Sequence, residues 1–287
     1  MIEWYYLVLV SAALMGFSSV LEKYMLKDEH ASAYSASFSI IIALMALVFV
    51  PFANFNISLY AVALVFLISV ISTISYILTA RVYKHGDISV SSPILSSLPQ
   101  LFVVVFAFMF LSERLSFVQY MSIAVMIVAA YLLLFKANSK RRSAFEGRKY
   151  IYELAIVVVL MAIGGVLLKY LLFYITPYTY IVLVEAFMAL NMAVYMQLHY
   201  GGVKEIAHNM RKYRKPLLVI AIITMAYRIT YYVAVSTAYV SLASPLRNTL
   251  TVVIAVLGGG LLFKEGNIVR KLALAAVMLA AVYFLIV

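Results

Sequence analysis

Ser92-Pro93, with Glu113 after a gap of nineteen residues, recurs as Ser244-Pro245 with Glu265 after the same gap. A shift of 152 positions aligns the two stretches without an insertion, and the alignment continues almost to the end of the chain. A duplicated unit in a very apolar chain is typical of membrane transporters built from internal repeats. The repeat therefore predicts the class of the protein and its division into two halves.

The composition indicates a protein whose surface is covered largely by lipid. Of the 287 residues, 66% are hydrophobic and 11% are charged, and the mean hydropathy is +1.06. Soluble domains are about half apolar and a quarter charged, so a soluble core of this length would not bury so much apolar surface. The chain has no cysteine, which excludes disulfide bonds and thiolate metal sites.

Ten apolar runs have about the 20-residue length that crosses a bilayer. They cover residues 4–25, 33–53, 58–82, 88–111, 116–135, 150–173, 177–199, 216–238, 241–263 and 267–287. The predicted fold is an all-α integral membrane protein with ten transmembrane helices in two five-helix repeats. The repeats cover residues 1–135 and 150–287, and a basic cytoplasmic linker, residues 136–149, joins them.

The distribution of lysine and arginine predicts the orientation of these spans. The odd-numbered connections hold 17 basic residues, and the even-numbered connections hold only Arg114. Basic residues concentrate in cytoplasmic loops, so we expect the odd connections in the cytoplasm and both termini outside a plasma membrane. Because each repeat has an odd number of spans, the second repeat is predicted to be inverted relative to the first.

Apart from the basic residues counted with the connections, which include some at span ends, four of the 22 lie inside predicted spans: Lys23, Lys169, Arg228 and Arg247. A shift of 146 positions aligns the two lysines. A charge at mid-bilayer costs at least about 2.5–3.5 kcal/mol, so such residues usually face a cavity or a partner. Arg228 is the deepest, and its planar guanidinium suits carboxylate or phosphate. We predict that all four bind substrate, with Arg247 attracting an anion from outside; snorkelling is the alternative for the lysines.

Two acidic residues also lie within predicted spans. Glu185 is near the middle of the seventh, where it would bind a substrate amine, carry a coupling proton, or pair with Arg228 as a structural ion pair. Glu22 lies near the cytoplasmic end of the first, where it and Lys23 could snorkel to the interface.

Aromatic and helix-breaking residues complete the predicted site. Tyrosines offer apolar walls with polar tips, and a glutamine in the fourth span adds an amide. The predicted lining comprises Tyr76, Tyr227, Tyr231, Tyr232 and Gln100. Prolines and glycines inside spans predict pivots, because proline removes a backbone donor and glycine loosens a helix. These predicted hinges are Pro93, Pro99, Pro245, Gly258 and Gly259.

No enzyme motif occurs in the sequence. It lacks a Walker A motif, an HExxH motif and a Gly-x-Ser-x-Gly nucleophile elbow. The four histidines are far apart and lack metal-ligand spacing. We therefore expect no catalysis, cofactor or metal, and no nucleic-acid partner, because the basic residues lie in loops between apolar spans.

Two five-span halves, each with Ser-Pro early in its fourth span and a glutamate at the next turn, resemble the EamA-type carriers of the drug/metabolite transporter superfamily. The matching stretches are 91–95 (SSPIL) with 111–115 (LSERL), and 243–246 (ASPL) with 263–265 (FKE). The second half departs from the pattern at Gly266-Asn267 and at Arg247. The two glutamates are expected to cap the helix that follows each of them.

The resemblance implies a ten-helix bundle with a central cavity lined mainly by spans 1, 3, 4, 6, 8 and 9. It also implies export or exchange of small metabolites, often amino acids, without ATP. Two alternatives stay open: a non-transporting scaffold or lipid-handling protein, and a carrier of a phosphorylated or lipid-linked substrate. A closed bundle around an Arg228–Glu185 pair would favour the scaffold, and an open cavity beside these residues would favour the carrier.

Overall fold

The computed structural model describes residues 3–26, 31–85, 88–134, 144–200, 202–262 and 268–286. The regular elements in these ranges are all helical, which confirms the predicted all-α class. The α-helices are α1 (Trp4–Leu26), α2 (Ala31–Ala46), α3 (Leu59–His85), α4 (Ile88–Leu111), α5 (Phe117–Leu134), α6 (Ala144–Leu171), α7 (Pro177–His199), α8 (Val203–Lys212), α9 (Arg214–Thr237), α10 (Val240–Leu262) and α11 (Ile268–Ile286).

Six segments of this part of the chain are long and apolar enough to cross a membrane. They lie in α1, in α2 with the turn that follows it, and in α3, α6, α7 and α9. Shorter apolar stretches, Leu98–Leu111 and Phe117–Ala129, lie in α4 and α5. The chain is a multi-pass membrane protein, whereas the count of ten spans stays a prediction.

Two predicted boundaries differ from the structure. The second predicted span, residues 33–53, is an α-helix only to Ala46 and continues as a 3-10 helix, Leu47–Phe52. Pro51 lies in that last turn, where its missing N–H and its ring oppose continuation of an α-helix. Helix α6 begins at Ala144, so the end of the predicted linker is helical.

Helix α8 lies where the sequence predicted only a polar, basic connection. Its one buried face carries Ile206 and Asn209, with Met210 partly buried beside them, and it packs on α2. Lys204 and Arg211 are exposed on the other side. This spacing of three and four residues is typical of an amphipathic helix at a surface.

Helices from the two halves of the chain interleave. Helix α1 packs on α9 and α10, and α6 packs on α3 and α4. Helices α2 and α7 pack together, as do α4 and α10, and α5 and α11. These pairings are unchanged when α1 to α5 are exchanged, in order, with α6, α7, α9, α10 and α11.

Two glycines let α1 and α10 approach closely. A Cβ atom at Gly16 would lie 2.7 Å from the Cβ of Ile254. A Cβ atom at Gly258 would lie 2.5 Å from a methyl carbon of Val20. Each helix thus places a glycine against a β-branched side chain of the other, a contact that small residues make possible between membrane helices.

A pair of charged side chains holds the turn between α9 and α10. Lys169, which is 5% exposed, donates hydrogen bonds from its ammonium to the carbonyl oxygens of Val235 and Ala238, at 2.8 and 2.9 Å. These carbonyls belong to the end of α9, where helical partners run out and a cation is favourable.

Glu113 acts on the other side of the same turn. Its carboxylate accepts the backbone N–H groups of Val240 and Ser241, at 3.1 and 3.0 Å, and the Ser241 hydroxyl. Ser112, with φ of 55°, ends α4 and turns the chain so that Glu113 faces α10. A carboxylate from the first half of the chain therefore caps a helix of the second half.

The expectation that Glu113 caps the helix following it is wrong. Helix α5 has its own capping box: the Gln119 N–H donates to the Ser116 hydroxyl at 3.3 Å, and the Ser116 N–H donates to the Gln119 side-chain oxygen at 2.9 Å. Glu113 is thus available to α10. Glu265 lies outside the described residues, so its predicted capping role stays a prediction.

We expect Gly16→Ala to lower the thermal unfolding temperature of the purified protein. The new methyl group would collide with Ile254, and overpacking of this kind costs roughly 1–3 kcal/mol. Gly164→Ala is the matched control, because its Cβ would lie 3.8 Å from Ile71, an ordinary contact. Equal unfolding temperatures for the two variants would contradict the close approach of α1 and α10.

Glu113→Ala should destabilise the protein because it leaves two buried N–H groups of α10 without an acceptor. Each unsatisfied buried donor costs roughly 1–3 kcal/mol. The unfolding temperature should fall clearly for Glu113→Ala and much less for Glu3→Ala, which removes an exposed carboxylate. A Glu113→Ala protein as stable as the Glu3→Ala protein would show that this cap is unimportant.

Candidate functional site

A cavity of about 250 Å³ lies between α1, α3, α4, α6, α7, α9 and α10. Six of these helices correspond to the spans that the family resemblance implied, and α7 is an addition. Of the residues that the sequence selected for substrate binding, those that line the cavity are Tyr76, Gln100, Tyr227, Arg228, Tyr231, Tyr232 and Arg247. The structure therefore brings most of the predicted site together.

Arg228 is paired and also lines the cavity. Its guanidinium forms a hydrogen-bonded ion pair with Glu185 of α7, and the Arg228 side chain keeps 13% of its surface exposed. Glu185 is 1% exposed and is absent from the cavity lining. Its second carboxylate oxygen has no hydrogen-bond partner among the described residues. A buried pair of this kind is costly to break, because one partner would become an uncompensated charge.

Arg247 has a different environment from Arg228. Its guanidinium carbon lies 3.6 Å from the ring centre of Tyr231, a cation–π contact. Its Nε atom is buried and has no hydrogen-bond partner in the part of the chain that the structure describes. Arg247 therefore offers the cavity a guanidinium that an aromatic ring orients and that retains unused donors.

Aromatic packing fixes the tyrosines of the cavity wall. Tyr232 meets Tyr180 edge to face, with ring centres 4.9 Å apart, and Tyr76 stacks on Phe38 at 5.7 Å. Such contacts hold the rings of these two lining residues in place. Gln100, which is buried, adds an amide from α4.

The two lysines are corrections to the predicted lining. Lys169 does not line the cavity, because its ammonium is held by the carbonyls at the end of α9. Lys23 does not line it either, and donates to the carbonyl oxygen of Tyr83 near the end of α3. Lysines that occupy matching positions in the two halves therefore both bind the terminal carbonyls of the third helix in their own half.

The predicted substrate set lacked four polar lining residues that matter here. Ser244 and Asn248 lie four residues apart on one face of α10, where the Asn248 amide donates to the Ser244 hydroxyl at 3.4 Å, and this spacing in the sequence would have identified the pair. Glu22 of α1 and Tyr180 of α7 also line the cavity. Glu22 was hidden in the sequence by its adjacency to Lys23, because the two together suggested an interfacial pair.

The predicted hinges lie within continuous helices. Pro93 and Pro99 are in α4, and Pro99 lines the cavity. Pro245, Gly258 and Gly259 are in α10. Gly258 packs closely against Val20, so this glycine has a packing role. The hinge function of all five residues stays a prediction.

Comparison with known proteins agrees with this architecture. Residues 2–135 match the EamA-like transporter family. A solved crystal structure is similar over 96% of this chain and 98% of its own, with a TM-score of 0.66 and 13% sequence identity. At that identity the similarity concerns the fold alone. No curated protein matches the chain.

The apolar helices indicate a multi-pass membrane protein, and the family match indicates a membrane transporter of the drug/metabolite transporter type. The match of residues 2–135 to the EamA-like transporter family confirms the resemblance drawn from the repeated Ser-Pro and glutamate motifs.

The Arg228–Glu185 pair predicts a non-additive double-mutant cycle. Arg228→Met or Glu185→Leu alone leaves a buried charge without its partner, which costs about 3–5 kcal/mol for a buried pair. The double variant removes both charges, so its unfolding temperature should lie above that of at least one single variant. Additive losses in thermal unfolding would show that the two side chains act independently.

Proposed function

We propose that the chain is a secondary transporter that exports or exchanges a small anionic or zwitterionic metabolite, such as an amino acid, by alternating access without ATP. The observation that carries this proposal is Arg247 in the cavity, oriented by Tyr231 and with a buried Nε that lacks a partner among the described residues. A guanidinium with free donors suits a carboxylate or phosphate group.

Arg228 and Glu185 are proposed to couple substrate to a proton. While they are paired, the carboxylate occupies a guanidinium donor that a substrate anion would use. A proton on Glu185 would weaken the pair and release Arg228 toward the cavity, which Arg228 already lines. Substrate anion and Glu185 would then compete for one guanidinium. This gives Glu185 a coupling role rather than direct contact with a substrate amine.

The proposed carrier has ten spans in two inverted five-helix repeats. Exchange of the first five helices with α6, α7, α9, α10 and α11 preserves the packing partners, which supports this division. Alternating-access carriers commonly rock such repeats around a site near the midplane. The basic connections are proposed to face the cytoplasm of a cell whose plasma membrane holds the protein, with both termini outside.

A lipid-handling function is the second candidate. An apolar groove of about 500 Å³ lies between α4 and α6, lined by residues that include Phe106, Phe110, Ile163 and Tyr170. An acyl chain of a lipid or lipid-linked substrate would fit such a surface. A rigid scaffold is less favoured. The Arg228–Glu185 pair is formed, as a scaffold would require, but Arg228 also borders a cavity, which a closed bundle would lack.

The proposal is tested by ligand-induced thermal stabilisation, followed by transport in proteoliposomes. Purified protein is screened against amino acids, organic acids and phosphates. For a carboxylate or phosphate that stabilises the wild type, Arg247→Gln should weaken binding roughly tenfold or more, the loss expected for charge-assisted hydrogen bonds. Arg114→Gln is the matched control, because Arg114 is exposed and outside the cavity.

Three results would overturn the assignment. The first is that no anionic or zwitterionic compound stabilises the wild type. The second is that Arg247→Gln binds the ligand as tightly as Arg114→Gln does. The third is transport at the wild-type rate by Arg228→Ala, which would remove Arg228 from the proposed coupling step. Stabilisation by lipids alone would favour the lipid-handling alternative.

A further inference from the structure

Glu22 is an acidic group in the cavity that the proposed anion site does not use. It lies on α1, is 8% exposed, and lines the same cavity as Arg228 and Arg247. Its carboxylate accepts a hydrogen bond from the Ser18 hydroxyl at 3.1 Å. That hydroxyl is also 2.8 Å from the hydroxyl of Thr224 on α9.

Glu22 forms no ion pair with a cation among the described residues. The ion pairs of this part of the chain are Arg81–Glu153 and Arg228–Glu185. The neighbouring Lys23 donates instead to the carbonyl oxygen of Tyr83. A buried carboxylate without an ion-pair partner is costly in a membrane protein, so a bound cationic group at this position would be favoured.

Contacts between α1 and α9 give the distance between the acidic and basic ends of the cavity. The two helices are antiparallel, because Ser11 and Ser18 of α1 contact Tyr227 and Thr224 of α9 in reverse order. Glu22 lies four residues beyond Ser18, and Arg228 lies four residues beyond Thr224 in the opposite direction along the bundle. At 1.5 Å per residue, the Ser18–Thr224 contact places the Cα atoms of Glu22 and Arg228 about 12 Å apart along the helix axis, and the Ser11–Tyr227 contact places them about 18 Å apart.

Arg247 lies still farther from Glu22. Helix α10 runs parallel to α1, since Thr251 donates to the Ala12 carbonyl and Gly258 faces Val20 farther along. Arg247 precedes Thr251 by one turn, on the side away from Glu22. The two ends of the cavity therefore carry opposite charges. Guanidinium groups lie toward one end and a carboxylate lies toward the other.

We propose that Glu22 binds a cationic group of the substrate, so that the preferred substrate carries an anionic and a cationic group several bonds apart. This rests on the proposed function, because the anionic group is assigned to the arginine end. Such a site would select against simple anions, which leave Glu22 unpaired, and against dianions, which place a second negative charge beside Glu22. It also selects against α-amino acids with neutral side chains, whose charges are too close together.

Four five-carbon probes separate these cases: 5-aminopentanoate, pentanoate, glutarate and 2-aminopentanoate. They share chain length and a carboxylate, and differ in the presence, sign and position of the second charge. Wild-type protein, assayed by thermal stabilisation, should bind 5-aminopentanoate roughly tenfold or more tightly than each of the other three. Glu22→Gln should reduce that preference over pentanoate to near unity.

Glu153→Gln is the matched control, because it removes a carboxylate outside the cavity and should keep the preference. If Glu22→Gln does not fold, Glu22→Asp is used, and its preference for 5-aminopentanoate should fall because the shorter side chain withdraws from the ligand. The wild-type probe series decides the question even without a variant.

The outcomes distinguish failure of the anion site from failure of the Glu22 assignment. If none of the four carboxylates stabilises the wild type, the anion site and the Glu22 assignment both fail. If pentanoate or glutarate binds as well as 5-aminopentanoate, the anion site stands and the Glu22 assignment fails. Retention of the preference in Glu22→Gln would also overturn it.

Discussion

The break between α9 and α10 constrains this fold, because backbone groups freed at two buried helix ends must find partners within the protein. Lys169 binds the last carbonyls of α9, and Glu113 binds the first N–H groups of α10. The cation comes from the second half of the chain and the anion from the first. Two charges that are costly to bury thereby satisfy backbone groups that would be costly to leave unsatisfied.

The hydrogen bonds to these helix ends also determine which charged side chains remain available to the cavity. Lys169 and Lys23 are occupied by helix ends, and Glu185 is occupied by Arg228. Arg247 and Glu22 are left facing the cavity without an ion-pair partner among the described residues. The charges of the site are therefore those that the fold has not used elsewhere. Glu22 is carried by α1 and Arg247 by α10.

Much of this was accessible from the sequence because periodicity and hydropathy are local signals. Periodicity and hydropathy predicted the helices. Arg228 and Arg247 were selected because they lie inside predicted spans, and both line the cavity. The partners of Lys169 and Glu113 were not accessible, since they lie 66 and 127 residues away along the chain. Helix α8 was missed for a different reason: only its buried stripe is apolar, and hydropathy averaged over the loop conceals that stripe.

The interleaving of the two halves bears on how such a chain could have arisen. Helix α1 buries its surface against α9 and α10, and α6 buries its surface against α3 and α4. One copy of the duplicated unit would have lacked these partners. Duplication would have supplied each copy with helices that cover it, and divergence of the copies would have allowed the two ends of the cavity to acquire opposite charge.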